Sequence, residues 1–476
     1  MPPASHTSDI PARLDRLPWS RWHWRMVGAL GAAWVFDGLE VTLAGSLSAM
    51  LARPDTLGLS AARIGVAGSL YVAGAVLGAL LFGRMADRLG RKRLFLATLA
   101  IYMAATLATA FSPSFVYYAA CRCATGIGIG GEYAAINSAI DELVPARLRG
   151  RVSLAVNGCF WVGAALGAGL SLPLLDEELF PPDLGWRLAF GVGAILAVVI
   201  LWVRRDVPES PRWLLTRGRA AEAERIVKNI EARVRRDHGG LPPAVGSIRY
   251  TSADAPGLRR VAGVLLRTYP GRSGVCLALM LSQAFFYNAI FFTYALVLTR
   301  FFGVPDGGAG WYVLPFALGN VLGPWLLGPL FDLIGRRKMI CATYLSAGIG
   351  LALTAWAFQA GWLDARSQTA CWSAVFFVAS AAASSAYLTA SEVFPIEMRG
   401  MAISLFYAAG TGVGGFAGPA LYGWLIGTGQ RGGLTLGYLL AAVLMAGAGL
   451  AALRLPVNAE RRPLEAVAPP LNADKE

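Results

Sequence analysis

Twelve apolar stretches of about twenty residues, each long enough to cross a hydrocarbon core as a helix, punctuate this 476-residue chain. They centre near residues 37, 74, 102, 128, 162, 195, 287, 320, 348, 380, 413 and 442. Backbone immersed in lipid must satisfy its own N–H and C=O groups, so stretches of this kind fold as α-helices packed side by side. Composition closes the other routes. Charged residues are 15% of the chain, too few to coat a soluble protein of this length, for which about 25% is usual. Six cysteines are too sparse for a disulfide scaffold. The fold class is an all-α membrane protein.

The net charge of +13 is explained by where the basic residues fall. With the N-terminus inside, the external loops hold only Arg53, Arg63, Arg187, Arg300, Arg366 and Arg431, six of the 42 lysines and arginines. Arg122 lies within a span, and the remaining 35 lie on the opposite side. That asymmetry is the positive-inside bias and puts both termini in the cytoplasm. Basicity here sets topology and needs no nucleic-acid partner. The N-terminus lacks the basic–apolar–small pattern of a cleaved signal, and Trp19, Trp22 and Trp24 sit where an aromatic belt belongs.

A polar stretch divides the spans six and six. The expected organisation is an N-terminal tail over 1–23, a first six-helix bundle over 24–205, a central loop over 206–272, a second bundle over 273–455 and a C-terminal tail over 456–476 without structure. Within the loop, residues 219–236 carry Ala223, Ile226, Val227 and Ile230 at helical spacing on a charged background, which predicts a surface helix.

The two halves are copies. Residues 83–93 (GRMADRLGRKR) and 328–338 (GPLFDLIGRRK) share the pattern G-x-x-x-D-x-x-G-R-[KR]-[KR] at an offset of 245. Residues 142–150 (ELVPARLRG) and 392–400 (EVFPIEMRG) share E-x-x-P-x-x-x-R-G at an offset of 250. Two signatures repeating at nearly one offset indicate a duplicated six-span unit, and two such units facing across a cavity make a rocking transporter. Gly83, Asp87, Arg88, Gly90 and Arg91, with Asp332, Gly335 and Arg336, lie at the cytoplasmic ends of spans. Their carboxylates can meet guanidinium groups or helix N-termini when that end closes. Glu142, Arg149, Glu392 and Arg399, from the second signature, complete this conformational latch.

The repeated Gly83–Arg93 turn resembles the signature of the major facilitator superfamily, and the resemblance covers nearly the whole chain. Arg122-x-x-x-Gly126-x-Gly128-x-Gly130 is similar to that superfamily's second motif, and Pro208-Glu209-Ser210-Pro211-Arg212 resembles its sugar porter branch. The resemblance implies twelve transmembrane helices in two pseudo-symmetric six-helix halves, with no cofactor. Gly38-Leu39-Glu40 occupies the place where proton-coupled sugar porters carry Gly-Tyr-Asp, whose acid pairs with the span 4 arginine. Gln283 and Asn288 keep the spacing of two sugar-binding residues, whereas Ser282 replaces a glutamine and Tyr387 a tryptophan. Asp37-Gly38-Leu39-Glu40 and Gly130-Gly131-Glu132-Tyr133 look more like organic-acid and aromatic-acid proton symporters.

The residues themselves supply the chemistry. A side chain that ionises inside the membrane costs a few kcal/mol, about 2.5–3.5 at mid-span, and marks function by default. Asp37, Glu40, Arg122 and Glu132 are the candidates for proton coupling. The second half offers uncharged hydrogen-bonding groups instead: Gln283, Tyr287, Asn288, Tyr294, Asn320, Tyr387 and Tyr407. With Asn157 on span 5 they form the candidate solute site. Gln283 and Asn288 project about 140° apart on an ideal helix, so span 7 is expected to bend or unwind between them. No catalytic constellation, phosphate loop or metal-ligand cluster is present, and Cys121 and Cys123 point to different helix faces. The sequence therefore points to a monomeric multi-pass transporter in a cytoplasmic (inner) membrane, symporting a small polar organic solute, sugar- or polyol-like, with protons. An organic or aromatic carboxylate, an uncoupled facilitator and a transporter-like solute sensor remain open alternatives.

Overall fold

The computed structural model describes residues 5–204, 207–251, 255–291, 293–304 and 309–471. Long helices occur at all twelve places marked by hydropathy. The first half contains α1 (Arg21–Ser46), α2 (Ala61–Leu89), α3 (Arg91–Ala110), α4 (Phe115–Leu143), α5 (Arg149–Leu174) and α6 (Pro182–Arg204). The second contains α7 (Pro270–Phe291), α8 (Ala309–Leu333), α9 (Arg336–Gln359), α10 (Ala365–Glu392), α11 and α12 (Arg431–Ala452). α11 is built from Arg399–Ala409, a π-type stretch at Gly410–Gly414, and Gly415–Gly427. Among the described residues ten of these helices are long and apolar enough to cross a membrane. α4 and α6 fall outside that set, and α4 carries Arg122, Glu132, Asp141 and Glu142.

Glycine sets how closely the helices pair. A Cβ at Gly130 would lie 1.9 Å from the Ala75 carbonyl oxygen, and one at Gly126 would lie 2.1 Å from that of Tyr71. α2 and α4 therefore meet backbone to backbone. α1 and α5 do the same at Gly38 and Gly163, where added Cβ atoms would lie 1.8 and 1.7 Å from carbonyl oxygens. Helices in lipid associate through such small-residue contacts because no hydrophobic driving force separates helix from tail. The glycines of the repeated turn have a different task. Gly90 (φ 101°) and Gly335 (φ 112°) occupy the left-handed region between α2 and α3 and between α8 and α9, where a side chain is strained.

The halves meet along α2 against α11 and α5 against α8. At one end of this seam each half reaches into the other. The Asp87 carboxylate accepts the backbone N–H groups of Gly400 (3.1 Å) and Met401 (2.9 Å), at the first turn of α11. The Asp332 carboxylate accepts those of Gly150 (2.9 Å) and Arg151 (2.8 Å), at the first turn of α5. Each acid also pairs with the arginine four residues on, Asp87 with Arg91 at 3.2 Å and Asp332 with Arg336 at 2.9 Å. Arg91 and Arg399 both reach Glu142, at 3.0 and 3.3 Å, while Arg336 and Arg149 both reach Glu392, at 2.9 and 3.5 Å. Two copies of one clasp thus hold this end shut. Gly83 admits α11 beside it, since a Cβ there would lie 2.0 Å from the Ser404 hydroxyl. Arg88 is exposed and takes no part in the clasp, because its position on the last turn of α2 faces away from α11. Glu209 braces the arrangement by accepting the N–H groups of Arg91 (2.9 Å) and Lys92 (3.3 Å). Burial pushes its carboxyl above the usual range, against the pull of those bonds and of the Arg91 charge.

The segments outside the bundles are more ordered than the sequence suggests. The helix Ala220–His238 covers the expected surface helix, but it buries Ala223, Val227 and Ile230 against the N-terminal segment. That segment pairs as a strand, Ser5–Ser8 with Ile248–Thr251, and then forms the helix Ile10–Asp15. The C-terminal tail is not unstructured across 456–471. Glu465 pairs with Arg212 at 2.6 Å, the Arg462 carbonyl accepts from Arg149, and the Leu471 N–H donates to Glu397. Buried arginines here leave donors that only tail carbonyls and carboxylates reach, an interaction invisible to a polarity count.

Replacing Asp87 by asparagine leaves a side chain able to accept only one of its two backbone bonds, and removes the charge opposite a helix N-terminus. Loss of a charge-assisted hydrogen bond costs about 1.5–3 kcal/mol. Alkylation of a cysteine placed at Ser404, buried beside the clasp, is expected to quicken in Asp87→Asn and in Asp332→Asn alike. Unchanged labelling in both would show that the clasp does not hold this end.

Candidate functional site

Between the halves lies a cavity of about 200 Å³. From the first half α1 contributes Trp34 and Val41, α2 Tyr71, α4 Tyr133, and α5 Asn157, Phe160 and Trp161. From the second half α7 contributes Gln283, Tyr287, Asn288 and Phe291, α10 Ser380, Ser384 and Tyr387, and α11 Tyr407 and Thr411. No Asp, Glu, Lys or Arg side chain lines it among the described residues. Nine of the lining residues are aromatic, and the others that can hydrogen-bond are amides and hydroxyls.

The aromatic groups form two clusters that bridge the halves. Trp34 and Tyr133 meet Tyr387 and Tyr407, with the Tyr133 and Tyr407 ring centroids 4.6 Å apart and those of Trp34 and Tyr387 5.9 Å apart. Trp161 meets Tyr287 at 5.8 Å and Phe291 at 5.1 Å. Two polar atoms of the wall are buried without a hydrogen-bond partner among the described residues: the Trp34 Nε1 donor and the Asn157 Oδ1 acceptor. The Asn157 amide nitrogen is already committed, to Asn137 Oδ1 (3.1 Å) and the Ser153 carbonyl (2.7 Å). A donor and an acceptor held in an otherwise apolar wall are what fixes a ligand's orientation.

Of the expected solute residues, Asn157, Gln283, Tyr287, Asn288, Tyr387 and Tyr407 all line this cavity. Gln283 and Asn288 do so without unwinding, because α7 is continuous helix to Phe291 and the cavity is wide enough to receive both faces. Tyr294 and Asn320 do not line it. The Tyr294 hydroxyl donates to the Tyr312 carbonyl and bonds Thr369, which ties α8 to α10 behind the wall. Asn320 is buried and accepts from the Tyr287 hydroxyl at 2.9 Å, so it positions a lining ring.

The ionisable residues gather just outside the cavity, in the first half. The Arg122 guanidinium hydrogen-bonds the Glu40 carboxylate, and both side chains are buried. Tyr71 links this pair to the cavity. Its ring forms part of the cavity wall, and the Arg122 guanidinium lies over it, 4.6 Å from the centroid. The close seam between α2 and α4 makes that stacking possible, since Gly126 lets α4 approach the Tyr71 carbonyl. Asp37 and Glu132 are fully buried. Tyr102 of α3, also fully buried, is within electrostatic reach of Glu40, Asp37 and Glu132 together. Sequence reasoning found the acids and the base but not Trp34, Tyr71, Tyr102, Tyr133 or Trp161. The available signal was an aromatic residue with a polar tip in the middle of an apolar span. Among the described residues no group of His, Cys, Asp and Glu is arranged to hold a metal ion.

Comparison with known proteins agrees with this architecture. Residues 28–468 match the model of the family described as "Sugar (and other) transporter". The chain is 33% identical over 234 residues to the niacin transporter NiaP of Acinetobacter baylyi, covering 49% of this chain and 50% of that protein. It is 30% identical over 356 residues to the putative metabolite transport protein YyaJ of Bacillus subtilis, covering 72% and 74%. The chain thus spans about half of the niacin transporter's length and about three-quarters of YyaJ's. Among solved structures, the proton:xylose symporter XylE bound to 6-bromo-6-deoxy-D-glucose superposes with a TM-score of 0.77 at 20% identity, over 93% of this chain and 98% of that one. That likeness establishes the fold. The chain belongs to the sugar (and other) transporter family, within the major facilitator superfamily.

Proposed function

We propose that the protein is a proton-coupled symporter of a small organic solute, with twelve membrane spans, both termini in the cytoplasm and the clasped end facing the cytoplasm. The observation that carries this reading is the buried Glu40–Arg122 pair, separated from the cavity by the single ring of Tyr71. A buried carboxylate is favoured as the neutral acid by desolvation and as the anion by a nearby guanidinium. Moving Arg122 towards or away from Glu40 therefore changes the acid's hold on its proton. Rocking of the halves supplies that movement, with Asp37 and Glu132 as further proton positions. Solute in the cavity presses on Tyr71 and through it on Arg122, which links loading of the cavity to loading of the proton.

The lining favours a solute with a flat, weakly polar face and one or two hydrogen-bonding groups over a polyol. Aromatic rings dominate the wall, and only a few amides and hydroxyls interrupt it. A second reading, an aromatic monocarboxylate taken up with its proton, is favoured by the same rings and by two relatives named as niacin or niacin/nicotinamide transporters. Melting of the purified protein in the presence of nicotinate, benzoate, xylose and inositol separates these classes. A stabilising ring-bearing solute supports the proposal, and stabilisation by xylose or inositol alone overturns the solute class.

Coupling is tested in proteoliposomes, with accumulation driven by a pH gradient measured beside exchange between equal pools. Glu40→Gln is expected to lose accumulation while retaining exchange, because exchange moves no net proton. Tyr71→Leu should depress accumulation more than exchange, and Tyr71→Phe, which keeps the ring, should restore it. Accumulation at the wild-type level in Glu40→Gln, Asp37→Asn and the double variant would make the carrier an uncoupled facilitator.

Affinity is tested at the wall. Trp34→Phe keeps the ring and removes only the unpartnered N–H, so the solute should bind about 0.5–1.5 kcal/mol more weakly, the net worth of one hydrogen bond. Gln283→Ala should weaken binding by about 1–3 kcal/mol, as when a buried polar partner is lost. Unchanged apparent affinity in both variants would move the solute elsewhere.

A further inference from the structure

The start of α1 and the end of the helix Ala220–His238 enclose a second recess, away from the central cavity. One part of it is lined by Arg21, Trp22, Arg25, Arg233, Arg236 and Asp237, with a volume of about 160 Å³. It continues past Trp19 and Trp24 through the shared residues Arg21, Arg236 and Asp237. Four guanidinium groups therefore face one groove. None of the four forms an ion pair among the described residues, and all four are exposed.

The reason lies in how the acids of this region are used. Glu231 and Glu224 are taken by Arg13 (2.8 and 2.7 Å), and Glu231 also by Arg16. Glu222 pairs with Arg219. Asp237, the one acid in the groove, accepts the backbone N–H of Arg21 at 2.9 Å. The helix thus spends Glu224 and Glu231 largely on the N-terminal segment and turns Arg233 and Arg236 towards Arg21 and Arg25, four positive charges against the single carboxylate of Asp237 in the lining. Beside them Trp24, 65% exposed, stands on the first turn of an apolar helix long enough to cross a membrane. An exposed tryptophan at that position marks the level of the lipid headgroups.

We infer that this groove binds the headgroup of an anionic phospholipid, with the phosphodiester among Arg21, Arg25, Arg233 and Arg236 and the acyl chains running along Trp24 and α1. Guanidinium groups suit a phosphate because they present paired donors in a plane. Basic recesses beside a membrane helix gain from each charge at the headgroup surface. The bound lipid would fasten the helix Ala220–His238, and the N-terminal segment packed on it, to the membrane edge of the first half.

Binding is read by titrating the full-length protein in detergent with short-chain phosphatidylglycerol, alongside phosphatidylcholine of the same chains and inorganic phosphate. Saturable binding of phosphatidylglycerol alone is expected. Arg233→Gln/Arg236→Gln should weaken it by about 30-fold, taking about 1 kcal/mol for each arginine near the surface. Lys228→Gln/Arg235→Gln, which removes the same charge from the other side of that helix, should leave it unchanged. An equal loss in the control pair would show a diffuse surface field and overturn the site. Equal binding of phosphatidylcholine, or displacement of the lipid by inorganic phosphate at matching concentration, would overturn the lipid assignment. A reading free of the arginine variants uses brominated lipids on the otherwise unaltered protein. Brominated phosphatidylglycerol should quench more fluorescence than brominated phosphatidylcholine, and the excess should vanish in Trp24→Phe. No excess quenching would reject the proposal.

Discussion

At one end of the seam the two halves are joined by carboxylates, each capping a helix that belongs to the other half. Asp87 caps α11 and Asp332 caps α5, each through two backbone N–H groups. The first turn of a helix has N–H groups without intrahelical partners and carries the positive end of the macrodipole. A buried carboxylate is costly unless donors and countercharges surround it, and each acid takes its two backbone donors from the opposite half and its arginine from its own. Within the clasp Arg91–Glu142 and Arg336–Glu392 pair inside one half, whereas Arg399–Glu142 and Arg149–Glu392 pair across the seam. Parting the halves here breaks four backbone hydrogen bonds and the two crossing ion pairs, a discrete set of contacts of the kind a two-state element uses.

The cavity benefits from that division. With the charges of the first half withdrawn behind Tyr71, the wall can be aromatic and uncharged, and the second half contributes amides, hydroxyls and rings. Placing the ion pair behind Tyr71 keeps it close to the cavity yet out of contact with it. It also keeps Glu40 and Arg122 dry, where the attraction between them is stronger than it would be in water. Backbone-level seams between α2 and α4 and between α1 and α5 hold these residues to a fixed geometry, because helices that meet without side chains between them have little room to slide.

Much of the scaffold was legible in the sequence because lipid imposes a long, countable pattern and duplication prints it twice. The repeated aspartates, arginines and glutamates could be assigned to one clasp from their offsets alone. Arg88 misled because the motif names it while its place on the helix turns it outwards. Tyr294 and Asn320 misled for a related reason: a polar group inside a span must be satisfied somewhere, and theirs is satisfied by neighbouring helices. Trp34, Tyr71 and Trp161 stayed hidden because aromatic residues are common in apolar spans and only packing shows which of them face a cavity. The tails stayed hidden because their order comes from arginines distant in sequence, the buried Arg149 and Arg212 and the half-buried Arg272 among them.

The C-terminal segment touches both halves at once. It meets Arg149 and Arg212 on one side of the seam, and Arg272 and Glu397 on the other. These partners come from both halves, so each contact that the segment makes adds to the join between them. A stretch of some fifteen residues that lines no part of the cavity thereby acts as a strap laid across the two bundles.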